Sequence, residues 1–114
     1  MSTADFGGQG RVRDVAPLFA ALGDETRLKL VVRLCSGGPL SIARLSSKSP
    51  VSRQAITKHL EVLLEAGLVR SSRRGRERIW ELEPARLEDA QRYLDRISQQ
   101  WDDALDRLKK LVER

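Results

Sequence analysis

SRQAITKHLEVLLEAGLV (52–69) decides how this chain is read. Ser52 is a good helix N-cap, and Val51 before it can pack on Ile56, a staple that fixes the angle at which the chain enters the helix. At about 100° per residue, Ala55, Ile56, His59, Leu60, Leu63 and Ala66 point to one side, whereas Gln54, Thr57, Lys58, Glu61 and Glu65 fall on the other. Gly67 closes the run. The spacing therefore predicts an amphipathic helix over 52–66 whose polar and cationic side chains, Ser52, Arg53, Gln54, Thr57 and Lys58, gather near its start.

Downstream the period changes. LVRSSRR (68–74) and RERIWEL (76–82) flank Gly75, with apolar residues at the far ends, which predicts a hairpin with a basic tip. Arg70, Arg73, Arg74, Arg76 and Arg78 cluster around that turn, and Glu77 is expected to pair with one of them and orient it. Pro84 suits a first helical turn. After it Leu87, Ala90, Leu94, Ile97, Trp101, Leu105, Leu108 and Val112 recur three or four residues apart, the pattern of one helix of roughly 28 residues, about 42 Å long.

Upstream, Ser41 caps a short helix that turns Ile42 and Leu45 inward, followed by the polar turn SSKSPV (46–51). Asp24 caps a further helix, on which Leu28, Val31, Val32 and Cys35 are expected to form the buried face, with Cys35 acting as a small hydrophobe; GGP (37–39) ends it. Before that, Val15, Leu18, Phe19 and Leu22 predict a helix over about 14–22 with Asp14 as N-cap and Pro17 in the first turn. MSTADFGGQGR (1–11) is too poor in apolar residues to offset the entropy of ordering it, so a flexible arm is expected. The expected architecture is mainly α with a small β-hairpin: an arm over 1–11, a winged helix-turn-helix over 12–83 and a long C-terminal dimerisation helix over 84–114.

Charge points the same way. The chain of 114 residues carries a formal net charge of +5. Residues 41–80 hold nine Lys and Arg against three Asp and Glu, whereas 81–114 hold seven against nine. A positive middle beside an acidic end is the footprint of a chain that meets a polyanion through one region. In a helix-turn-helix, the start of the second helix faces base edges in the major groove. Arg53 and Lys58 suit guanine O6 and N7, Gln54 suits adenine, and Ser52 and Thr57 offer hydroxyls. Arg73, Arg74, Arg76 and Arg78 on a projecting hairpin can neutralise phosphates or enter a narrowed minor groove. The expected partner is double-stranded DNA. The alternative is a winged-helix protein-interaction module whose basic wing binds an acidic partner.

Three blocks, ALGDETRLKLV (21–31), SRQAITKHLEVLLEAGLV (52–69) and RRGRERIWEL (73–82), in this order and spacing, resemble the ArsR/SmtB family of winged-helix transcriptional repressors. The likeness covers about 14–114. It implies a homodimer, built from the first and last helices, that reads an inverted-repeat operator and represses genes. Phe19, Leu94, Ile97, Trp101, Leu105 and Leu108 are the expected interface, with Trp101 packing rather than stacking on a ligand.

The chain departs from the metal-sensing members. Aligned from the His59-Leu60 pair, Ser41, Ala43 and Ser46 stand where soft-metal sensors of the family carry cysteines. The one histidine, His59, lies in the recognition helix and not the last, and its apolar-side position predicts packing over base reading. Asp102, Asp103 and Asp106 without imidazole or thiolate read as a solvated face. The resemblance is therefore to a branch without the usual metal ligands; no metal and no cofactor are expected. One His and one Cys on different helices, with no phosphate loop, make no nucleophile and base set, so no enzymatic activity is expected. With no long apolar run and a lone cysteine, the expected location is cytoplasmic, with no membrane partner.

Overall fold

Three polar side chains start three helices. Asp24 Oδ2 accepts from the Arg27 amide at 3.0 Å, Ser41 Oγ from the Arg44 amide at 3.3 Å and Ser52 Oγ from the Ala55 amide at 3.1 Å. Each satisfies an amide that a helix start leaves without an intrahelical partner. The computed structural model describes residues 12–47 and 49–113; the arm expected over 1–11 lies outside them. In chain order the elements are α1 (Val12–Leu22), α2 (Glu25–Gly37), β1 (Leu40–Ser41), α3 (Ile42–Ser46), α4 (Arg53–Glu65), β2 (Val69–Arg74), β3 (Glu77–Leu82) and α5 (Pro84–Val112). This is the mainly helical winged helix-turn-helix with a long last helix that the sequence predicts.

The helix-turn-helix is α3 and α4, with residues 49–52 leading into α4. Ile56, Leu60 and Leu63 of α4 are almost wholly buried in a core shared with Val15 and Leu18 of α1, Leu30 and Leu34 of α2, Leu45 of α3 and Trp80 of β3. The end of α4 is a Schellman motif: the Gly67 amide reaches the Leu64 carbonyl at 2.9 Å and the Leu68 amide reaches Leu63 at 3.0 Å. That closure needs a left-handed residue, and Gly67 sits at φ +81.

The wing is antiparallel, with Arg74 opposite Glu77 and Val69 opposite Leu82. Gly75 and Arg76 form the two-residue loop, and Gly75 at φ +65 supplies the positive dihedral that tight hairpin loops require. A third strand, β1, was not expected. Leu40 pairs with Trp80 and Ser41 with Ile79, giving the order β1-β3-β2.

Two expectations are corrected. Helix α1 begins at Val12, not Asp14, so Asp14 lies within the first turn and Pro17 lies further inside. Pro17 has no N–H to offer the Arg13 carbonyl. On α2 the buried residues are Leu30, Val31 and Leu34, while Leu28 is 48% exposed, Val32 56%, and Cys35 is exposed. Apart from Lys29 and Arg33, which share one side, residues 28 to 35 are apolar over an arc of about 200°, and packing selects a face turned roughly 100° from the expected one. Cys35 is therefore not a core residue.

Helix α5 departs from the body. Only Ala90 is buried along it; Leu87 and Tyr93 pack against the core from its first half, and Phe19 meets Tyr93 with ring centroids 6.0 Å apart. Its far half projects, and the molecule measures 66 × 30 × 20 Å with a radius of gyration of 18.3 Å. A compact domain of about 100 residues would have about 13 Å. No helix among the described residues is long and apolar enough to cross a membrane.

Candidate nucleic-acid interface

The start of α4 is exposed while its base is fixed. Ser52, Arg53, Gln54 and Lys58 are exposed and Thr57 is half-buried, held by the Ile56, Leu60 and Leu63 anchors beneath. Ser52 is committed to its cap, so it positions the first turn. Thr57 Oγ1 donates to the Arg53 carbonyl at 3.0 Å. Its proton is thereby used, which leaves the oxygen as an acceptor and the methyl as an apolar contact. His59 is turned the other way: its Nδ1 lies 3.3 Å from Arg27 Nη1 and 3.8 Å from Asp24 Oδ2. Arg27 can only donate, so Nδ1 accepts when the ring is neutral, and a protonated ring faces Asp24 instead; Arg27 Nε is anchored to the Ala21 carbonyl at 2.6 Å. This histidine ties the middle of α4 to the start of α2, the packed role expected for it.

Strand register sorts the wing arginines, which the sequence reading treated as one cluster. Side chains alternate along a strand, so Arg73, Arg78 and Trp80 share one face, Arg70, Arg74, Glu77 and Glu81 share the other, and Arg76 stands in the loop. Arg70 is paired with Glu81 at 3.3 Å and Glu83 at 3.0 Å, and the Glu81 carboxylate holds its guanidinium more firmly protonated than usual. It closes the base of the wing.

Arg78 is steered by two contacts. Its Nε donates to Ser71 Oγ at 3.1 Å and its guanidinium lies 4.2 Å from the Trp80 ring centroid, a cation–π arrangement. Arg73 stands directly opposite Arg78, and like charges in that relation repel unless an anion comes between them. The pairing expected of Glu77 is not formed: it faces Arg74 across the strands, yet no ion pair joins it to an arginine among the described residues. The register set by the two-residue loop at Gly75, which puts Arg70 opposite Glu81, was the signal that could have given Arg70 its partner.

Among the described residues no carboxylate lies within ion-pairing distance of Arg53, Lys58, Arg73, Arg74 or Arg76. Among the described cations of the positive middle, Arg70 alone has a carboxylate partner within the chain. The expected dimer residues divide. Phe19 and Ile97 are half-buried, whereas Leu94, Trp101, Leu105 and Leu108 are exposed, Trp101 by 64%. The only free thiol, Cys35, has no second soft ligand near it: among the described residues no three His, Cys, Asp or Glu side chains come together as a metal site would require.

The helix-turn-helix domain family matches residues 22–72, the stretch from the end of α1 to the rising wing strand. An HTH-type transcriptional regulator of Mycobacterium tuberculosis is 39% identical over 95 residues, 83% of this chain and 85% of that relative. Among solved structures, an ArsR-like transcriptional regulator from Rhodococcus sp. RHA1 matches with a TM-score of 0.74 at 40% identity, covering 87% of this chain and 92% of that one. The chain belongs to the ArsR family of helix-turn-helix transcriptional regulators. It is a DNA-binding protein and not an enzyme. The likeness of this ArsR-family regulator reaches the arsenical resistance operon repressor of Escherichia coli, 37% identical over 59 residues, 52% of this chain and 50% of that one.

Proposed function

We propose that the protein is a homodimeric repressor that reads an inverted-repeat operator, with α4 in the major groove and the wing on the flanking backbone or minor groove. The observation that carries the reading is the exposed, uncompensated first turn of α4 on a fully buried base. Arg53, Gln54, Thr57 and Lys58 are the proposed base readers, and Ser52 sets the turn from which they project. Thr57, as an acceptor with a methyl group, suits an adenine or cytosine amino group or a thymine methyl. Arg73, Arg74, Arg76 and Arg78 are the proposed wing contacts, with an anion between Arg73 and Arg78 relieving their repulsion.

Two-fold symmetry is supported by α5. Leu94, Ile97, Trp101, Leu105 and Leu108 lie at spacings of three and four along a helix that its own chain does not cover, as side-by-side packing with a second helix requires. Phe19 at the α1–α5 contact would border that seam. Two recognition helices related by a two-fold axis would meet half-sites about one helical turn apart, or a small multiple of it.

The relatives named for arsenical resistance suggest a soft-metal signal, but Ser41, Ala43 and Ser46 offer no thiolate here. Ser41 caps α3, and His59 is engaged with Asp24 and Arg27. The proposal is accordingly a regulator whose DNA binding is independent of soft metals. Selection from randomised duplexes, followed by sedimentation of the protein with the selected site, tests the reading. A short inverted repeat bound by two chains is expected. Sequence-blind binding, a monomer on the selected site, or release by micromolar arsenite or zinc would each overturn its corresponding part.

A further inference from the structure

Between α2 and the turn that leads into α4 lies a cavity of about 510 Å³, inside the roughly 300–1,000 Å³ typical of small-ligand sites. Its floor is Leu30, Leu45 and Ile56, and its rim carries Thr26, Lys29, Arg33 and Ser49. None of the residues that line it bears a carboxylate. The rim offers donors that the protein has not used up. Arg33 gives one Nη1–H to the Leu45 carbonyl at 3.0 Å and keeps its others. Ser49 Oγ accepts from the Val51 amide at 3.1 Å, so its own proton remains to be given. Lys29 is paired with Glu25 at 2.8 Å, but the two side chains are 72% and 81% exposed, and so exposed a pair yields its lysine readily.

We infer that this cavity binds a small organic acid, its carboxylate on the Lys29, Arg33 and Ser49 donors and its apolar body against Pro50 and the aliphatic stems of Lys29 and Arg33, above a floor closed by Leu30, Leu45 and Ile56, and that this binding weakens the hold on DNA. The inference rests on the proposed placement of α4 on DNA. A phosphodiester could meet the same donors, yet it has no apolar body to set against Pro50 and the stems of Lys29 and Arg33. The coupling is electrostatic and local. Ser49 and Pro50 belong to the turn that positions the Ser52 cap, and Ile56 belongs to α4 itself. An anion held there places negative charge beside the helix start that must approach phosphates. The effect is reciprocal, so DNA weakens the acid by the same factor.

The test uses the full chain with labelled methyl groups, titrated with phenylacetate and, separately, with phenylacetamide, which keeps the ring and lacks the charge. Saturable shifts of the Leu30, Leu45 and Ile56 methyls are expected with phenylacetate, and responses at least tenfold weaker with the amide. Lys29→Gln should raise the phenylacetate dissociation constant about tenfold, the loss of one charged hydrogen bond. Operator affinity should fall at saturating phenylacetate, and in the variant only at about tenfold higher concentration. Absent methyl shifts, an equal response to the amide, or unchanged operator affinity at saturation overturns the inference. So does a Lys29→Gln variant that loses operator affinity with no acid present, since its lysine then serves a DNA phosphate. If the acid-free protein binds no operator at all, the DNA placement fails, while the methyl titration still decides the cavity.

Discussion

Helices α4 and α5 carry the same rhythm of apolar residues every three or four positions and meet different fates. In α4 the stripe is sealed by its own chain: Ile56, Leu60 and Leu63 are no more than 1% exposed. In α5 the stripe runs out of chain to lean on, and Leu94, Trp101, Leu105 and Leu108 are 50 to 64% exposed. Periodicity says that a face must be covered; it does not say by whom. The polar faces differ as well. That of α4 begins with the proposed base readers, which have no carboxylate partner among the described residues, while α5 balances two of its arginines locally, with Asp89 bridging Arg86 at 3.3 Å and Arg92 at 2.6 Å.

The contrast is broken most severely by one substitution on each stripe. Leu60→Ala should cost about 2–5 kcal/mol of unfolding free energy, because the cavity it leaves is walled by the core on every side. Leu105→Asp should leave the fold of the winged body intact, yield a monomer in sedimentation and abolish operator binding. Equal unfolding losses in urea titrations of the two variants would show that α5 is a core helix after all.

A smaller effect separates the two ends of α4. Gln54→Ala and Lys58→Ala should each cost about 1–3 kcal/mol of operator affinity with unchanged thermal midpoints; affinity measured by anisotropy that stays the same for both would remove them from the base readers. The wing should behave differently again. Replacing Arg74 and Arg76 by alanine should weaken all duplexes alike and make the slope of log affinity against log salt shallower by about two, if each meets one phosphate. An unaltered slope would place the loop off the DNA.

The smallest expected effect lies at the junction that holds α4 from behind. The Asp24 carboxyl is held below the ordinary value of 3.8, first by the Arg27 amide and then by the His59 and Arg27 charges. A depressed carboxylate contributes stability above its unfolded-state value, and that contribution is lost as pH falls through the lower folded value. Asp24→Asn keeps an acceptor at the cap but cannot ionise. The stability gap between wild type and variant, read from denaturant midpoints, should therefore be constant at neutral pH and shrink as the pH falls below the ordinary value of 3.8. A gap that widens on acidification would reverse the sign.

Legibility followed the strength of local chemistry. The boundaries of α4 could be read because Ser52 and Gly67 are unambiguous stop signs at both ends of a strongly amphipathic run. Helix α1 was misplaced by two residues because Val12 and Arg13 carry no start signal, and Asp14 offered a false one. The face of α2 was misread because Leu28, Leu30, Val31, Val32, Leu34 and Cys35 form an apolar arc of about 200°, wider than the core needs, and the polar side of Glu25, Lys29 and Arg33, which could have centred the buried face opposite it, was not used. Strand β1 is two residues long, too short to show any period. In the candidate site, residue types were legible and partners were not: Arg70 finds Glu81 and Glu83, and Arg78 finds Ser71, only once the hairpin register brings residues 7 to 13 positions apart together.

Ser41 holds two offices in the fold: its backbone joins the sheet opposite Ile79, and its hydroxyl caps α3. The wing and the helix-turn-helix are thereby bolted to a common residue, like two prongs of one casting. Such a tool cannot adjust the distance between its prongs, so any mismatch within a half-site falls to the DNA as bending or twisting, at a cost set by how stiff that sequence is. One extra base pair between the two contact zones turns the second by about 35° around the duplex axis. A change of spacing at the centre of the operator would, in the proposed dimer, be met across α5 instead.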